Sequence, residues 1–163
     1  MAKNKEEKTN VMRVLEQKKI AYTAHTYPHE EGVAVDGVTV AKSMGFDPAI
    51  VFKTLVARGA SKQYYVFDVP VAESLDLKKA AKAVGEKSIE MIHQKELLPL
   101  TGYVHGGCSP VGMKKLFPTV IHETAEDLET MIVSAGKIGY QVELAPRDLA
   151  ALVRAQFADI TVE

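Results

Sequence analysis

The sequence predicts an α/β fold, a mixed β-barrel-like sheet flanked by helices, on three observations. Strand-like runs outnumber helical ones. They arrive mostly by hairpin and not in strict strand-helix-strand alternation, which disfavours a doubly wound parallel sheet. No repeat, linker or low-complexity tract divides the 163 residues, so residues 1–163 are expected to form a single domain with its own core.

Thr9 or Asn10 caps a first helix whose Val11, Val14 and Leu15 fall on one stripe, with Lys18 and Lys19 placed favourably near its C-terminus. IAYTAHTY (20–27) alternates as a strand, and PHEEGVAVDG (28–37) reads as a loop. A short helix over 38–44 ends at Gly45; Asp47 and Pro48 then offer an N-cap and a first-turn proline ahead of the strand VFKTLVA (51–57). After the turn RGASKQ (58–63), YYVFDVPV (64–71) returns as the second strand of a hairpin, with Pro70 marking its end or an edge. Asp76 caps LKKAAKAV (77–84), which Gly85 stops; SIEMI (88–92) is a strand and QKELL (94–98) a short helix closed by Pro99. TGYVHGGCSPVGMKKLF (101–117) holds four glycines and a proline, which marks irregular structure. TVIHE (119–123), TMIVSA (130–135) and YQVEL (140–144) follow as strands, with GKIG (136–139) as the tight turn between the last two. A final helix opens at Pro146 and runs through DLAALVRA (148–155), and FADITV (157–162) comes last.

Hydrophobic residues at 47% and charged residues at 25% exclude a disordered or fibrous chain. No run of about 18 apolar residues predicts a membrane span, and MAKNKEEKTN lacks the apolar stretch of a secretory signal. The single cysteine, Cys108, has no internal disulfide partner, so a reducing, cytosolic setting is expected. A formal net charge of -1 excludes a general sponge for nucleic acid, leaving any RNA contact local. The lysine clusters (Lys3, Lys5 and Lys8; Lys18 and Lys19; Lys78, Lys79 and Lys82; Lys114 and Lys115) read as solvated helix faces that permit a polyanionic partner without requiring one.

Few residues offer chemistry. Lys53 shares its strand face with Val51 and Leu55, an apolar face with one amine. Such an ammonium must snorkel to solvent, pair with a carboxylate or meet an anionic ligand, because burying it unpaired is costly. His25 and His29 are four apart but straddle a strand end and a loop, and His93, His105 and His122 are scattered, so no metal is expected. Cys108 follows His105 by three residues, yet a nucleophilic cysteine needs a base and an orienting group that converge in space; a small buried residue is the simpler reading. HGGCSPVG (105–112) is neither a dinucleotide nor a phosphate loop, but its adjacent glycines let main-chain N–H groups approach a carbonyl or phosphate, and SAGKIG (134–139) offers the same beside Ser134. Both segments read equally well as tight turns. No cofactor motif is present and no cofactor is expected. The residues alone thus suggest a shallow pocket made by Lys53 and two glycine-rich turns, for something small and polar attached to something anionic.

VFKTL (51–55), DLKKAAKAVGEKSIEMI (76–92), ELLPLTGYVHGGCSPVGMKKLFPT (96–119) and VSAGKIGYQVELAPRDL (133–149) resemble, in order, the YbaK/EbsC family, over about residues 10–160. The resemblance implies an aminoacyl-tRNA deacylase related to the editing domain of prolyl-tRNA synthetase, with a mixed β-barrel-like core. It also implies that Lys53 is the catalytic residue, directed at the 3'-terminal adenosine and the aminoacyl ester. Phe52 and Thr54 of the same motif, Tyr27, Gly106, Gly107, Ser134 and Gly136 would bind substrate. For the cysteine-specific branch it implies a substrate-assisted reaction on Cys-tRNA(Pro) or Cys-tRNA(Cys), in which the substrate thiol attacks its own ester and leaves as a thiolactone. The expected partner is the aminoacyl-tRNA acceptor end, and the near-neutral charge makes capture through prolyl-tRNA synthetase plausible. Two alternatives stay open: an Ala-tRNA(Pro) hydrolase that positions a water, and a non-catalytic module that grips the acceptor end or the synthetase.

Overall fold

The computed structural model describes residues 8–30 and 32–163, so Lys3 and Lys5 of the first lysine cluster lie outside the described residues. Helix α1 (Asn10–Gln17) starts where Thr9 Oγ1 accepts the Met12 N–H at 3.3 Å, and it buries Val11, Met12 and Leu15. Strand β1 (Thr23–Thr26) is followed by α2 (Gly37–Ser43), capped by Asp36, and by a 3-10 turn (Pro48–Ile50) capped by Asp47. The hairpin β2 (Phe52–Gly59) and β3 (Tyr64–Pro70) pairs from Phe52↔Pro70 to Arg58↔Tyr64. Asp76 caps α3 (Leu77–Val84) by accepting from the Lys78 and Lys79 amides at 2.9 and 3.1 Å, and Gly85 ends it at φ 76°.

After β4 (Ile89–Met91), α4 (Gln94–Thr101) departs from the expected stop at Pro99: the proline lies inside the helix, which ends at Gly102. A proline there removes one internal bond from a short helix, and its last turn is held by Thr101 Oγ1 donating to Leu97 O at 2.8 Å and Gly102 N–H donating to Leu98 O at 2.8 Å. Then come β5 (Thr119–His122), a 3-10 turn (Glu123–Asp127), β6 (Met131–Ser134), β7 (Tyr140–Leu144), α5 (Pro146–Val153) and β8 (Gln156–Ala158).

The strands form two sheets, a five-stranded one in the order β4-β2-β3-β5-β8 and a three-stranded antiparallel one in the order β1-β7-β6. The larger sheet is mixed, because β3–β5 and β5–β8 are parallel while β2 pairs antiparallel with both neighbours. A parallel bridge between Val51 and Ile132 joins the sheets at one corner. The mixed sheet flanked by helices is as expected, but the barrel-like closure is not reached. Strand β4 is only three residues long and pairs with β2 at Ala57, Arg58 and Gly59, so between it and the β6 bridge at Val51 the edge of β2 is unpaired at Lys53 and Thr54.

Both faces of the larger sheet are covered. On one, Phe52, Val56, Val66 and Ile121 pack with Val11, Leu15, Val142 and Leu149, tying α1, the smaller sheet and α5 into the main core. On the other, Ala57, Phe67, Val69 and Val120 pack under Ala80 and Ala81 of α3. Each fully buried large apolar side chain of this kind contributes roughly 1.5–3 kcal/mol.

Candidate functional site

A cavity of about 550 Å³ opens where β2 lacks a neighbour, within the range of about 300–1,000 Å³ usual for small-ligand sites. Because it runs along a strand edge, it is touched by residues of both strand faces, Val51, Lys53 and Leu55 from one and Phe52 and Thr54 from the other. The Val71 amide donates to Val51 O and the Gly59 amide to Gln63 O, so the odd-numbered residues of β2 direct their backbone groups to β3. The backbone N–H and C=O of Thr54 and the C=O of Phe52 therefore face the open edge, whereas the Phe52 N–H turns to Ile132 at the bridge between Val51 and Ile132. The sequence reading found main-chain donors only in the glycine turns; the further one at Thr54 comes from the shortness of β4, which no single motif shows.

Six of the eight expected site residues line the cavity: Tyr27, Phe52, Lys53, Thr54, Gly106 and Ser134. Tyr27 is held there by its amide, which donates to Gly139 O at 2.9 Å. Lys53 is half-buried, and among the described residues no carboxylate lies within ion-pair distance of it. Gly106 adopts φ +89°, and a Cβ there would stand 2.7 Å from Ala34 Cβ, so the loop before α2 closes tightly over the turn.

Gly107 and Gly136 are not in the lining. Gly107 packs on the turn between β6 and β7, and a Cβ on Gly136 would meet Tyr103 and Val11 of the core at 3.0 and 3.1 Å. Both shape the wall from behind. The Gly136 amide also donates to Ser134 Oγ at 3.1 Å, which fixes that hydroxyl at the cavity.

Three residues near the cavity went unassigned in the sequence reading. Gln141 of β7 lines it, is buried, and has no hydrogen-bond partner at Oε1 among the described residues. Asp68 of β3 lies behind the wall and accepts from Thr54 Oγ1 at 2.5 Å. Thr101 contacts the Cys108 thiol. A strand alternation read from apolar residues alone carries no signal for any of them.

His105 and Cys108 both line the cavity, but burial first, and then the Asp68 carboxylate, push the Cys108 thiol up to about 12. A thiol held there stays protonated at neutral pH and is a poor nucleophile. The other histidines do not converge: His25 pairs with Glu143 at 2.8 Å, His29 Nδ1 contacts Tyr27 O at 3.1 Å, and His122 is buried with Nδ1 accepting the Ile160 amide at 3.2 Å. No helix among the described residues is long and apolar enough to cross a membrane.

Residues 32–152 match the family model described as an aminoacyl-tRNA editing domain. The chain is 46% identical over 164 residues to EbsC of Enterococcus faecalis, covering 100% of this chain and 99% of that protein, which carries the provisional name Cys-tRNA(Pro)/Cys-tRNA(Cys) deacylase. A crystal structure provisionally assigned as a trans-editing enzyme for prolyl tRNA synthetase is similar at TM-score 0.79 and 26% identity, covering 94% of this chain and 95% of that one. A second, of a hypothetical protein, matches at TM-score 0.82 and 19% identity over 93% of this chain and 99% of that one, a likeness of fold alone.

Proposed function

We infer the reaction from the premise that the chain belongs to the aminoacyl-tRNA editing domain family. It is a trans-editing deacylase that removes cysteine from mischarged Cys-tRNA(Pro), and from Cys-tRNA(Cys), by substrate-assisted release. The observation that carries this reading is a cavity holding an ammonium with no carboxylate partner among the described residues, while its own thiol is kept protonated by burial. Such a site suits a substrate that brings its own nucleophile.

The thiol of the cysteinyl group attacks the ester carbonyl and the 3'-oxygen leaves, giving a thiolactone and free tRNA. What the protein supplies is geometry: holding an intramolecular nucleophile in near-attack position is worth about 7–11 kcal/mol. Lys53 places positive charge beside the ester and the terminal adenosine. The backbone donors of Gly106 and of the open β2 edge stabilise the developing oxyanion, Ser134 and Tyr27 orient the aminoacyl group, and Gly107 and Gly136 keep the wall in register. Prolyl-tRNA synthetase is the partner that delivers the acceptor end, since the chain's own charge of -1 favours only local contact with tRNA.

Single-turnover deacylation of Cys-tRNA(Pro), Ala-tRNA(Pro) and Pro-tRNA(Pro), with the product identified, tests the reading. The expected result is loss of cysteine alone, as thiolactone, falling at least about a hundredfold in Lys53→Ala. Loss of alanine moves the protein to water-mediated hydrolysis, and binding of tRNA without loss of any ester makes it a binding module.

A further inference from the structure

Asp68 is a buried titratable group to which the reaction above gives no task. It sits in the middle of β3 at 0% exposure, on an inward position of a central strand where packing alone favours an apolar residue. Departures of this kind gather at functional sites. Asp68 stands opposite Thr54 in a pair that exchanges no backbone hydrogen bonds, the arrangement that brings side chains closest. Thr54 Oγ1 donates to Asp68 Oδ1 at 2.5 Å, and Asp68 Oδ2 has no hydrogen-bond partner among the described residues.

Thr54 and Cys108, the two side chains that act on this carboxyl, both line the cavity, so Asp68 lies directly behind the wall they form. From the neighbouring elements, Ile121 of β5 and Thr54 of β2 bring no charge and the 102–118 loop brings the Cys108 thiol, while Lys53 lies on the other face of β2. A threonine whose only hydroxyl proton is committed to a carboxylate offers lone pairs to its other side. It is an acceptor, and the substrate thiol must lose a proton.

We propose that Thr54 and Asp68 together take the proton from the substrate thiol, an inference that rests on the cysteine-deacylase reading. The S–H proton passes to Thr54 Oγ1 as the Oγ1 proton passes to Asp68 Oδ1. The sulfur forms its bond to the ester carbonyl carbon, and the bond from that carbon to the 3'-oxygen breaks. The proton returns from Asp68 through Thr54 to the 3'-oxygen, leaving thiolactone, a free 3'-hydroxyl and Asp68 ionised as it began. Thr54 touches the substrate; Asp68 is a positioning residue that acts through it. Burial lifts the Asp68 carboxyl to about 7 against the opposing Thr54 hydrogen bond, a value matched to accepting and returning a proton at neutral pH.

His105, exposed at the cavity, is the competing base. The test is the pH dependence of single-turnover cysteine release from Cys-tRNA(Pro) by the wild type, Asp68→Asn, Thr54→Val, Thr54→Ser and His105→Asn, with thermal unfolding to confirm that each variant is folded. Asp68→Asn and Thr54→Val are expected to lose about a hundredfold at neutral pH. That deficit should shrink as the pH approaches about 8.5, where a free thiol ionises unaided. Thr54→Ser keeps the wild-type profile. A loss of the same size at every pH means a structural role and overturns the relay, as does a profile whose rise is removed only by His105→Asn. A wild type that releases no cysteine overturns the deacylase reading and the relay with it, whereas parallel profiles in an active wild type overturn the relay alone.

Discussion

The backbone of Gly107 is seated against the backbone of Ile138. A Cβ on Gly107 would stand 3.0 Å from the Ile138 amide nitrogen and 3.2 Å from the Lys137 Cα and carbonyl carbon. Two glycine-rich turns that lie about thirty residues apart in sequence thus form one wall, with Gly106 in the lining and Gly107 as its backing. The two glycines answer different demands: Gly106 needs a left-handed φ of +89°, whereas Gly107 needs the absence of a side chain against main-chain atoms that have little room to yield.

Gly107→Ala is therefore expected to fold and to deacylate poorly. The methyl group pushes the turns apart by a few tenths of an ångström at the wall that orients the ester, and displacements on the order of 1 Å can lower a positioned reaction by about a hundredfold. The expectation is a tenfold or greater fall in single-turnover rate, on the order set by such misplacement, with a cooperative melt retained. An unchanged rate would show that the contact between turns does not set the site.

Cys108→Ala should leave the rate nearly intact. Its thiol, pushed up to about 12, is not available as a thiolate, and its contribution is to packing between the cavity and the main core. Removing the sulfur leaves a small void and lowers stability by about 1 kcal/mol. A folded but inactive Cys108→Ala, measured beside Cys108→Ser, would restore the protein thiol as nucleophile and sink the substrate-assisted reaction.

Local chemistry made much of the fold legible. Thr9, Asp47 and Asp76 cap where their side-chain oxygens suggest, and Gly85 ends its helix in the left-handed conformation. Phe52 meets Pro70 at the end of the expected hairpin. What was not legible is what distant segments do to one another. The parallel pairing of β5 with β3 and β8 brings strands together across helices, and the stop expected at Pro99 fails because the last turn of α4 is held by Thr101 and Gly102. At the site, Lys53 and Ser134 were visible as chemistry on a strand and a turn, while Asp68 was hidden in YYVFDVP, where alternation assigns it only to a face.

Asp76→Ala separates stability from function. The carboxylate satisfies two backbone N–H groups at the start of α3, on the side of the larger sheet away from the main core. Losing it is expected to lower stability by about 1 kcal/mol, read as a lower urea midpoint at constant slope, with the deacylation rate unchanged. A fall in rate at a temperature where the variant is fully folded would tie α3 to the site, which nothing in its contacts suggests.

Asp68 makes a prediction about stability that is independent of the reaction. Its carboxyl is lifted from 3.8 to about 7 by burial, so between those values the unfolded chain has released the proton while the folded chain still holds it. The folded state then binds more protons, and stability falls as pH rises through this window: the contribution is fully present below about 3.8 and gone above about 7. A shift of this size corresponds to roughly 4 kcal/mol across the whole window. Urea unfolding of wild type and Asp68→Asn, compared from about pH 5 to about pH 7.5, is expected to show the wild type losing roughly 3 kcal/mol relative to the variant. Equal slopes for the two proteins would mean that Asp68 is already ionised in the fold and held by something other than Thr54. If instead the slopes diverge while the deacylation profiles of the two proteins run parallel, Asp68 titrates where burial places it but passes no proton to the substrate.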